Sequence, residues 1–166
     1  MQKAVFLLLG TNLGDRISNL TKAVQAIEQR VGPVVKASSV YETSAWGKTD
    51  QAPFLNQAVK VTTQLDPEEV LRNILSIEER LGRKRNEKWG ERIIDIDILF
   101  FGDVVFERPH LIIPHPQLAN RRFTLIPLHD IAPDLLHPVF KKTVTELLAA
   151  CPDELSVKRF VDAADL

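Results

Sequence analysis

The chain has 166 residues, of which 45% are hydrophobic and 26% are charged, a composition typical of a soluble globular domain. Twenty-one lysines and arginines stand against 22 aspartates and glutamates, so a net charge of −1 gives no general attraction to nucleic acid or an acidic membrane. The single cysteine excludes an internal disulfide, and no apolar run approaches the roughly 20 residues of a membrane span. We therefore expect one cytoplasmic domain over residues 1–166 that binds neither nucleic acid nor membrane.

The first third of the chain predicts strands on either side of one helix. An apolar run over residues 5–9 ends at Gly10 and predicts a strand buried on both faces. Apolar residues then recur four and three apart, which predicts an amphipathic helix along Leu13, Ile17, Leu20, Val24, Ile27 and Val31. Gly32-Pro33 ends this helix. Residues 34–41 predict a second strand, residues 42–53 a loop, and residues 54–63 a third strand.

The remainder predicts a second helix, a fourth strand and an extension. Asp66-Pro67 is a strong helix start, and the buried stripe comprises Val70, Ile74, Ile77 and Leu81. Residues 83–91 are irregular and lead into a buried strand that ends at Gly102. A turn at residues 102–103 predicts a hairpin partner over residues 104–107. The proline-rich segment that follows predicts extended pieces and short turns, before a final helix over residues 143–150.

This element order predicts an α+β fold of the ferredoxin-like type. A βαββαβ chain forms an antiparallel sheet with its helices on one face, followed here by a C-terminal extension with a small hairpin and a helix. The opposite face of the sheet is then expected to carry a functional site. The architecture hosts many unrelated activities, so it does not identify one.

The fourth strand contains two aspartates, Asp95 and Asp97, within a run of isoleucines. Strict alternation would place them on one face with Ile93, Leu99 and Phe101, opposite Ile94, Ile96, Ile98 and Phe100. Two carboxylates about 7 Å apart repel each other and are costly to bury without a positive partner. Mg²⁺ suits that position because it takes one or two protein carboxylates and leaves room for phosphates. A solvated sheet face is the alternative interpretation.

A basic segment precedes the two aspartates, with six lysines and arginines among the 13 residues 80–92. Most charge runs are solvated loops, but arginines beside paired carboxylates indicate phosphoryl transfer. No G-x-x-x-x-G-K-[ST] or G-x-G-x-x-G motif is present, and a strand-to-helix turn explains Gly10 and Gly14. Metals and arginines would therefore hold the phosphates. A nucleotidyl or simple phosphoryl transferase and a non-catalytic ligand-binding domain remain open alternatives.

Several other residues suit binding of a flat ring or a phosphate. Aromatic side chains in or near loops can stack on a heteroaromatic ring, and an amide such as Asn56 can read its edge. The aromatic candidates are Trp46, Phe54, Trp89 and Phe123. The four histidines match no zinc template, but His115 lies between two prolines and is held where it can contact a phosphate.

The longest motif of the chain resembles a known signature. Residues 88–99 read K-W-G-E-R-I-I-D-I-D-I-L, which resembles the signature of the 6-hydroxymethyl-7,8-dihydropterin pyrophosphokinase family. Further similarities follow in the family's order: L-G-T-N-L-G-D at 9–15, F-L-N at 54–56, I-P-H-P at 113–116, N-R-R-F at 120–123 and I-A-P-D at 131–134.

This resemblance implies a ferredoxin-like enzyme of folate biosynthesis. Its reaction transfers the β,γ-pyrophosphoryl group of ATP to the hydroxymethyl group of the dihydropterin and releases AMP. Two Mg²⁺ ions held by Asp95 and Asp97 would bridge the ATP phosphates. The partners would be these small-molecule substrates alone, and we expect a monomer.

The resemblance also implies roles for individual residues of this chain. Those assisting transfer are Arg83 and Arg92. Those on the nucleotide side are Glu78, Arg85, Lys88, Ile98, Ile112, His115 and Arg121. Those on the pterin side are Thr43, Ser44, Trp46, Phe54, Asn56, Trp89 and Phe123. The chain departs from some relatives at Phe54 and Lys88, where tyrosine and arginine are also found, and neither change removes the needed chemistry.

Overall fold

The computed structural model describes residues 2–43, 52–82 and 93–160 of the chain. Its strands are β1 (Lys3–Thr11), β2 (Val34–Ala37), β3 (Tyr41–Thr43), β4 (Phe54–Thr63), β5 (Asp95–Phe101), β6 (Phe106–Arg108), β7 (Leu111–Ile113) and β8 (Val157–Arg159). Its helices are α1 (Arg16–Arg30), α2 (Pro67–Arg80), α3 (Arg122–Ile131) and α4 (Val144–Ala149).

Six of the strands form one antiparallel sheet in the order β5-β1-β4-β3-β8, with β2 also paired to β4. The segments β1-α1-β2-β4-α2-β5 give the βαββαβ order, and β1 and β4 lie at the centre of the sheet. The ferredoxin-like prediction is confirmed. Within the described residues, no helix combines the length and apolar character needed to cross a membrane.

Each of the two long helices begins directly after a capping aspartate, which for α2 is the Asp66 predicted from the sequence. The Asp15 carboxylate accepts the Ser18 N–H at the start of α1. At the start of α2, the Asp66 carboxylate accepts the Glu69 N–H at 2.8 Å, and the Glu69 carboxylate accepts the Asp66 N–H at 3.1 Å. These reciprocal bonds satisfy backbone groups that a helix start leaves without partners. The same capping arrangement at Thr143 and Glu146 begins α4, as the sequence predicts.

Each face of the sheet carries its own apolar core. Helices α1 and α2 pack on one face, which we call the helix face; its buried residues include Leu7, Leu9, Ile27, Ile74, Ile77, Ile96 and Ile98. On the other face, α3 and α4 bury Phe6, Leu8, Leu99, Phe100, Leu125 and Leu128. The face expected to be free is therefore covered along part of its length, and we call it the site face.

The edge strand β5 departs from the predicted alternation at one residue. Leu7 pairs with Ile98 and Phe6 pairs with Phe100, so Leu99 is an extra residue in a β-bulge. Leu99 and Phe100 are both buried on the site face, whereas Phe101 belongs to the helix-face core. The predicted faces are correct for residues 94–99 and wrong for Phe100 and Phe101, because the bulge shifts the alternation by one residue.

Three further predictions need correction, and one strand was not predicted. Residues 34–41 form two strands, because Ser38 interrupts the ladder: its hydroxyl oxygen accepts the Ala58 N–H at 2.9 Å. Strand β6 pairs with β7 in a separate hairpin instead of with β5. Helix α3 forms despite Pro127, since it buries five side chains against its neighbours. Strand β8, which pairs with β3, was not predicted because its three residues give too short a pattern.

Candidate functional site

One row of residues crosses the sheet at Gly10. In the strand register Gly10 of β1 lies opposite Asn56 of β4 and Asp95 of β5. Directly opposed residues share a face, so Asn56 and Asp95 flank the glycine on the site face. Leu8 in turn lies opposite Asp97, on the same face. The sheet therefore brings both predicted metal ligands to the face that carries Asn56.

Gly10 forms a floor between these side chains. A Cβ atom at this position would lie 2.8 Å from Asn56 Oδ1 and 3.8 Å from Phe54 Cδ1. The first distance is shorter than real Cβ contacts allow, so the Asn56 amide occupies space that only glycine leaves open. The strand-to-helix turn predicted for this glycine does not account for that packing. A glycine ending an apolar strand was the available signal of a close approach.

Three residues of the predicted pterin side lie together around this floor. Thr43 of β3 is opposite Phe54 of β4, and alternation places both on the face of Asn56. Thr43 is 3% exposed, and its Oγ1 has no hydrogen-bond partner within residues 2–43, 52–82 and 93–160. A buried hydroxyl in that state fits a polar ligand that supplies the missing bond.

Phe123 opens the first turn of α3, on the same side of the sheet. The Arg121 guanidinium lies 5.6 Å from the centroid of its ring, a cation–π distance. In the described part of the chain the Phe123 ring makes no ring–ring contact with Phe54. The structure therefore links Phe123 to Arg121 directly and leaves its relation to the pterin side as a prediction.

A cavity of about 280 Å³ lies beside the D-x-D strand. Four residues predicted for the nucleotide and metal sites line it: Asp97, Ile98, Ile112 and His115. The other lining residues, which the sequence did not assign to a site, are Leu71, Ile96, Pro109, His110, Leu111 and Pro116. An apolar wall with a few polar groups suits a flat ligand ring. The exposed isoleucine Ile112 is explained by this opening.

His115 is held in one protonation state by its surroundings. Its backbone N–H donates to the Leu99 carbonyl at 3.0 Å, and its Nδ1 accepts the Gln117 N–H at 3.1 Å. Burial and the positive charge of Arg121 lower the pKa of His115 to about 4, against the opposing negative charge of Asp95. The ring is therefore neutral at pH 7 with its proton on Nε2, which leaves an N–H donor for a ligand.

Glu78 supports the D-x-D strand from the helix face. It is 1% exposed, and its Oε2 accepts the N–H of Ile96 at 2.8 Å. Ile96 separates the two aspartates, and β5 is an edge strand with backbone groups to satisfy. Glu78 is therefore not a solvent-exposed residue. The structure shows a contact between Glu78 and the strand backbone, so its predicted contact with nucleotide stays a prediction.

The donor set of the two aspartates fits a hard divalent cation. No third His, Cys, Asp or Glu converges with them into a metal-binding group among the described residues. Two carboxylates leave coordination positions for water and phosphate oxygens, which suits Mg²⁺ better than zinc or copper. The remaining predicted residues lie outside the described part of the chain: Ser44, Trp46, Arg83, Arg85, Lys88, Trp89 and Arg92.

A ferredoxin-like sheet with paired carboxylates, a neutral histidine and an adjacent apolar cavity defines a class of protein, the small α+β enzymes that act on phosphate-bearing ligands. Comparison with known families identifies the family to which the chain belongs. A family model described as 7,8-dihydro-6-hydroxymethylpterin-pyrophosphokinase (HPPK) matches residues 6–133. The chain belongs to this family.

Individual relatives agree with this assignment. The chain is 44% identical over 142 residues to a 2-amino-4-hydroxy-6-hydroxymethyldihydropteridine pyrophosphokinase of Aquifex aeolicus, covering 86% of this chain and 88% of that protein. It is 44% identical over 132 residues to the Bacillus subtilis protein of the same name, covering 79% of each. A Plasmodium falciparum HPPK-DHPS structure matches 90% of this chain with a TM-score of 0.73 at 23% identity. This chain spans 44% of that longer one, and the likeness shows the fold alone.

Proposed function

We propose that this protein transfers the β,γ-pyrophosphoryl group of ATP to the hydroxymethyl group of 6-hydroxymethyl-7,8-dihydropterin, releasing AMP, in folate biosynthesis. The observation that carries the proposal is the family match over residues 6–133. That range includes the Gly10 floor, the two aspartates and the cavity beside them. Relatives named for this activity are 44% identical over most of their length.

The pterin would bind over the Gly10 floor. Asn56 presents an amide that can both donate to and accept from the edge of the ring, and Phe54 offers a stacking surface beside it. The Thr43 hydroxyl, which has no hydrogen-bond partner among the described residues, would supply a further polar contact. Phe123 would cover the opposite side of the ring. The family resemblance assigns three more residues to this side: Ser44, Trp46 and Trp89.

ATP would place its purine in the cavity and its phosphates toward β5. Ile98, Ile112 and Leu71 supply apolar walls, which suit a flat base. His115 Nε2–H and the Arg121 guanidinium suit phosphate oxygens, since both are donors and the charges of Arg121 and Asp95 both act on His115. Glu78 would act through the strand that it holds, in addition to the nucleotide-side role that the resemblance implies. Arg85 and Lys88 are assigned to the nucleotide by resemblance.

Asp95 and Asp97 would hold two Mg²⁺ ions at the phosphates. Bound Mg²⁺ supplies positive charge that neutralises the phosphate oxygens as the bond to the departing AMP breaks. The protein's own contribution is alignment of the pterin hydroxyl with the β-phosphorus, by the floor on one side and the cavity on the other. Arg83 and Arg92 would stabilise charge that develops during transfer.

We further propose that residues 1–166 act as one catalytic domain and as a monomer. Every described residue of the proposed site comes from a single sheet and the elements packed on it, so one chain supplies both walls. A cytoplasmic location is proposed as well, because the reaction consumes ATP.

Product analysis tests the reaction directly. Purified protein is incubated with ATP, Mg²⁺ and the hydroxymethyl-dihydropterin, and AMP is expected to form in equal amounts with the pterin diphosphate. Omission of the pterin or addition of EDTA should stop AMP formation. Formation of ADP would indicate a simple kinase, and release of pyrophosphate would indicate nucleotidyl transfer; either would contradict the proposal.

A further inference from the structure

Arg16, the first residue of α1, contacts three separate segments of the chain. Its Nη1 donates to the Glu42 carboxylate at 3.1 Å and to the Pro53 carbonyl at 2.9 Å. Its guanidinium carbon also lies 5.5 Å from the centroid of the Phe160 ring. The Arg16 side chain is 24% exposed and that of Glu42 is 37% exposed, so the junction is half-buried. Arginine suits it because one planar group donates in several directions at once.

This junction lies on the helix face of the sheet. Glu42 is opposite Leu55 in the strand register, and Leu55 belongs to the core beneath α1 and α2. The next pair along the same two strands is Thr43 opposite Phe54, which points to the site face. Arg16 therefore holds β3 and the start of β4 from behind the surface where the pterin is proposed to bind.

The pairing that Arg16 holds is short. Strand β3 has three residues, and its pairs with β4 are Tyr41–Asn56, Glu42–Leu55 and Thr43–Phe54. Short strands at the end of a ladder open locally more easily than central ones. Arg16 joins the middle of β3 to the carbonyl that immediately precedes Phe54, and so secures the last pair. The Asn12 amide supports the same stretch by donating to the Ala52 carbonyl at 3.2 Å.

We propose that Arg16 is a positioning residue for the pterin acceptor. By securing Glu42 and Pro53 it keeps Thr43, Phe54 and Asn56 in the register that forms the acceptor surface, without contacting substrate itself. This inference rests on the proposed pterin site. It assigns the first residue of α1 to acceptor binding and predicts no effect on the ATP cavity, whose walls come from α2, β5 and the β6–β7 hairpin.

Loss of the Arg16 charge does not leave Glu42 without a cation nearby. Lys158 of β8 lies directly opposite Glu42 and shares its face. Removing Arg16 therefore releases both the Pro53 carbonyl and the Glu42 carboxylate from their shared donor, without leaving Glu42 remote from positive charge. A variant at Arg16 is expected to fold, and its effect should concentrate on acceptor binding.

The test compares Arg16→Gln and Arg16→Lys with Arg30→Gln. Arg30 is in the last turn of the same helix, and its Nη1 lies 3.4 Å from the Ser76 hydroxyl, away from β3. Arg16→Gln should raise the KM for the pterin about tenfold, equivalent to 1.4 kcal/mol. Its kcat and its KM for ATP should stay within about twofold of the parent, and Arg16→Lys should recover part of the loss. Arg30→Gln should change neither KM.

Two results would overturn the inference. One is an equal rise of both KM values in Arg16→Gln; the other is a lower Tm with both KM values unchanged, which would make Arg16 structural only. Glu42→Gln provides a second variant that disturbs the same junction more gently and should shift the pterin KM in the same direction. An unchanged pterin KM there, together with a changed one in Arg16→Gln, would also contradict the proposed link through Glu42.

Controls separate this inference from the proposed function. Parent protein that forms no AMP would reject the function whatever the Arg16 variants do. Active parent protein whose Asn56→Ala variant keeps its pterin KM would reject the pterin site and the inference with it. If Asn56→Ala raises the pterin KM and Arg16→Gln does not, the site stands and the role of Arg16 is rejected.

Discussion

The Gly10 floor, proposed to bind the acceptor, and the cavity beside β5, proposed to bind the nucleotide, are built in different ways. Gly10 and Asn56 lie on β1 and β4, central strands whose hydrogen-bond ladders set the position of each side chain. The cavity instead combines strand β5 with the turn of a two-stranded hairpin and a proline-bounded loop. Its lining includes the neutral His115 and also His110, whose Nε2 lies 2.9 Å from the Glu68 carboxylate. We therefore expect substrate binding to respond strongly to a single added atom at the floor. Substitutions around the cavity should have smaller, graded effects.

The largest loss of activity should come from replacing the two carboxylates, of which Asp95 flanks the floor and Asp97 lines the cavity. Asp95→Ala and Asp97→Ala should each lower kcat by at least about a thousandfold, roughly 4 kcal/mol, because metal binding at the phosphates is lost. Asn replacements keep the shape and remove the charge, and they should be nearly as inactive. The measurement is AMP formation at saturating ATP and Mg²⁺. Parent-like turnover in either alanine variant would contradict the assignment of that aspartate as a metal ligand.

The floor is tested by adding one carbon atom. Gly10→Ala places a Cβ where Asn56 Oδ1 lies 2.8 Å away, and such overpacking costs about 1–3 kcal/mol. The pterin KM should rise about 10- to 100-fold while the ATP KM stays near that of the parent. In an Asn56→Ala background the same glycine substitution should cost much less, since the clashing amide is gone. Additive effects would show that the two residues do not share the floor.

The cavity is tested through pH, because His115 is held neutral there. A pKa lowered to about 4 in the folded protein means that protonation favours unfolding. The stability contributed by neutral His115 is complete above its unfolded pKa near 6.5 and is lost as pH falls toward 4. The Tm should therefore fall between pH 7 and pH 5, and less steeply in His115→Gln. Thermal unfolding by circular dichroism provides the measurement.

His137 should also lower the Tm as the pH falls, and it serves as the comparison for His115. Burial lowers its pKa, and its Nδ1 accepts the N–H groups of Val139 and Phe140. His137→Gln should also flatten the dependence of Tm on pH, although it lies outside both binding regions. Above pH 5 the contribution of Glu146, whose pKa is lowered by hydrogen bonds to Thr143, is complete and does not interfere. An unchanged slope in His115→Gln would show that the cavity does not hold this ring neutral.

The smallest effect is expected where the hairpin turn meets α2. His110 Nε2 lies 2.9 Å from the Glu68 carboxylate, and both side chains are exposed by more than a third. Such pairs are worth about 0–1 kcal/mol, so Glu68→Gln should raise the ATP KM only about twofold. The pterin KM should not change. A tenfold rise in the ATP KM would mean that the hairpin turn is as tightly constrained as the Gly10 floor. That result would contradict the expected difference between the two regions.

Much of this protein could be predicted from its residues alone. The 4-3 spacing of α1, the capping box of Asp66 and Glu69, and the paired aspartates are local patterns, and each reports a local structure. Residues 88–99 and the shorter motifs around them were sufficient for the family, which the match over residues 6–133 confirms. These features depend on neighbours in sequence, so no knowledge of the tertiary structure is needed to detect them.

Only the tertiary structure decided how those patterns meet. Strand register places Asn56 and Asp95 on either side of Gly10, although 46 and 85 positions separate them from it in the chain. The bulge at Leu99 shifts the alternation of β5, and the packing of α2 on the sheet buries Glu78 against the backbone of the D-x-D strand. Arg16 joins segments from three parts of the chain. Such contacts are set by long-range pairing and packing, to which local residue patterns are insensitive.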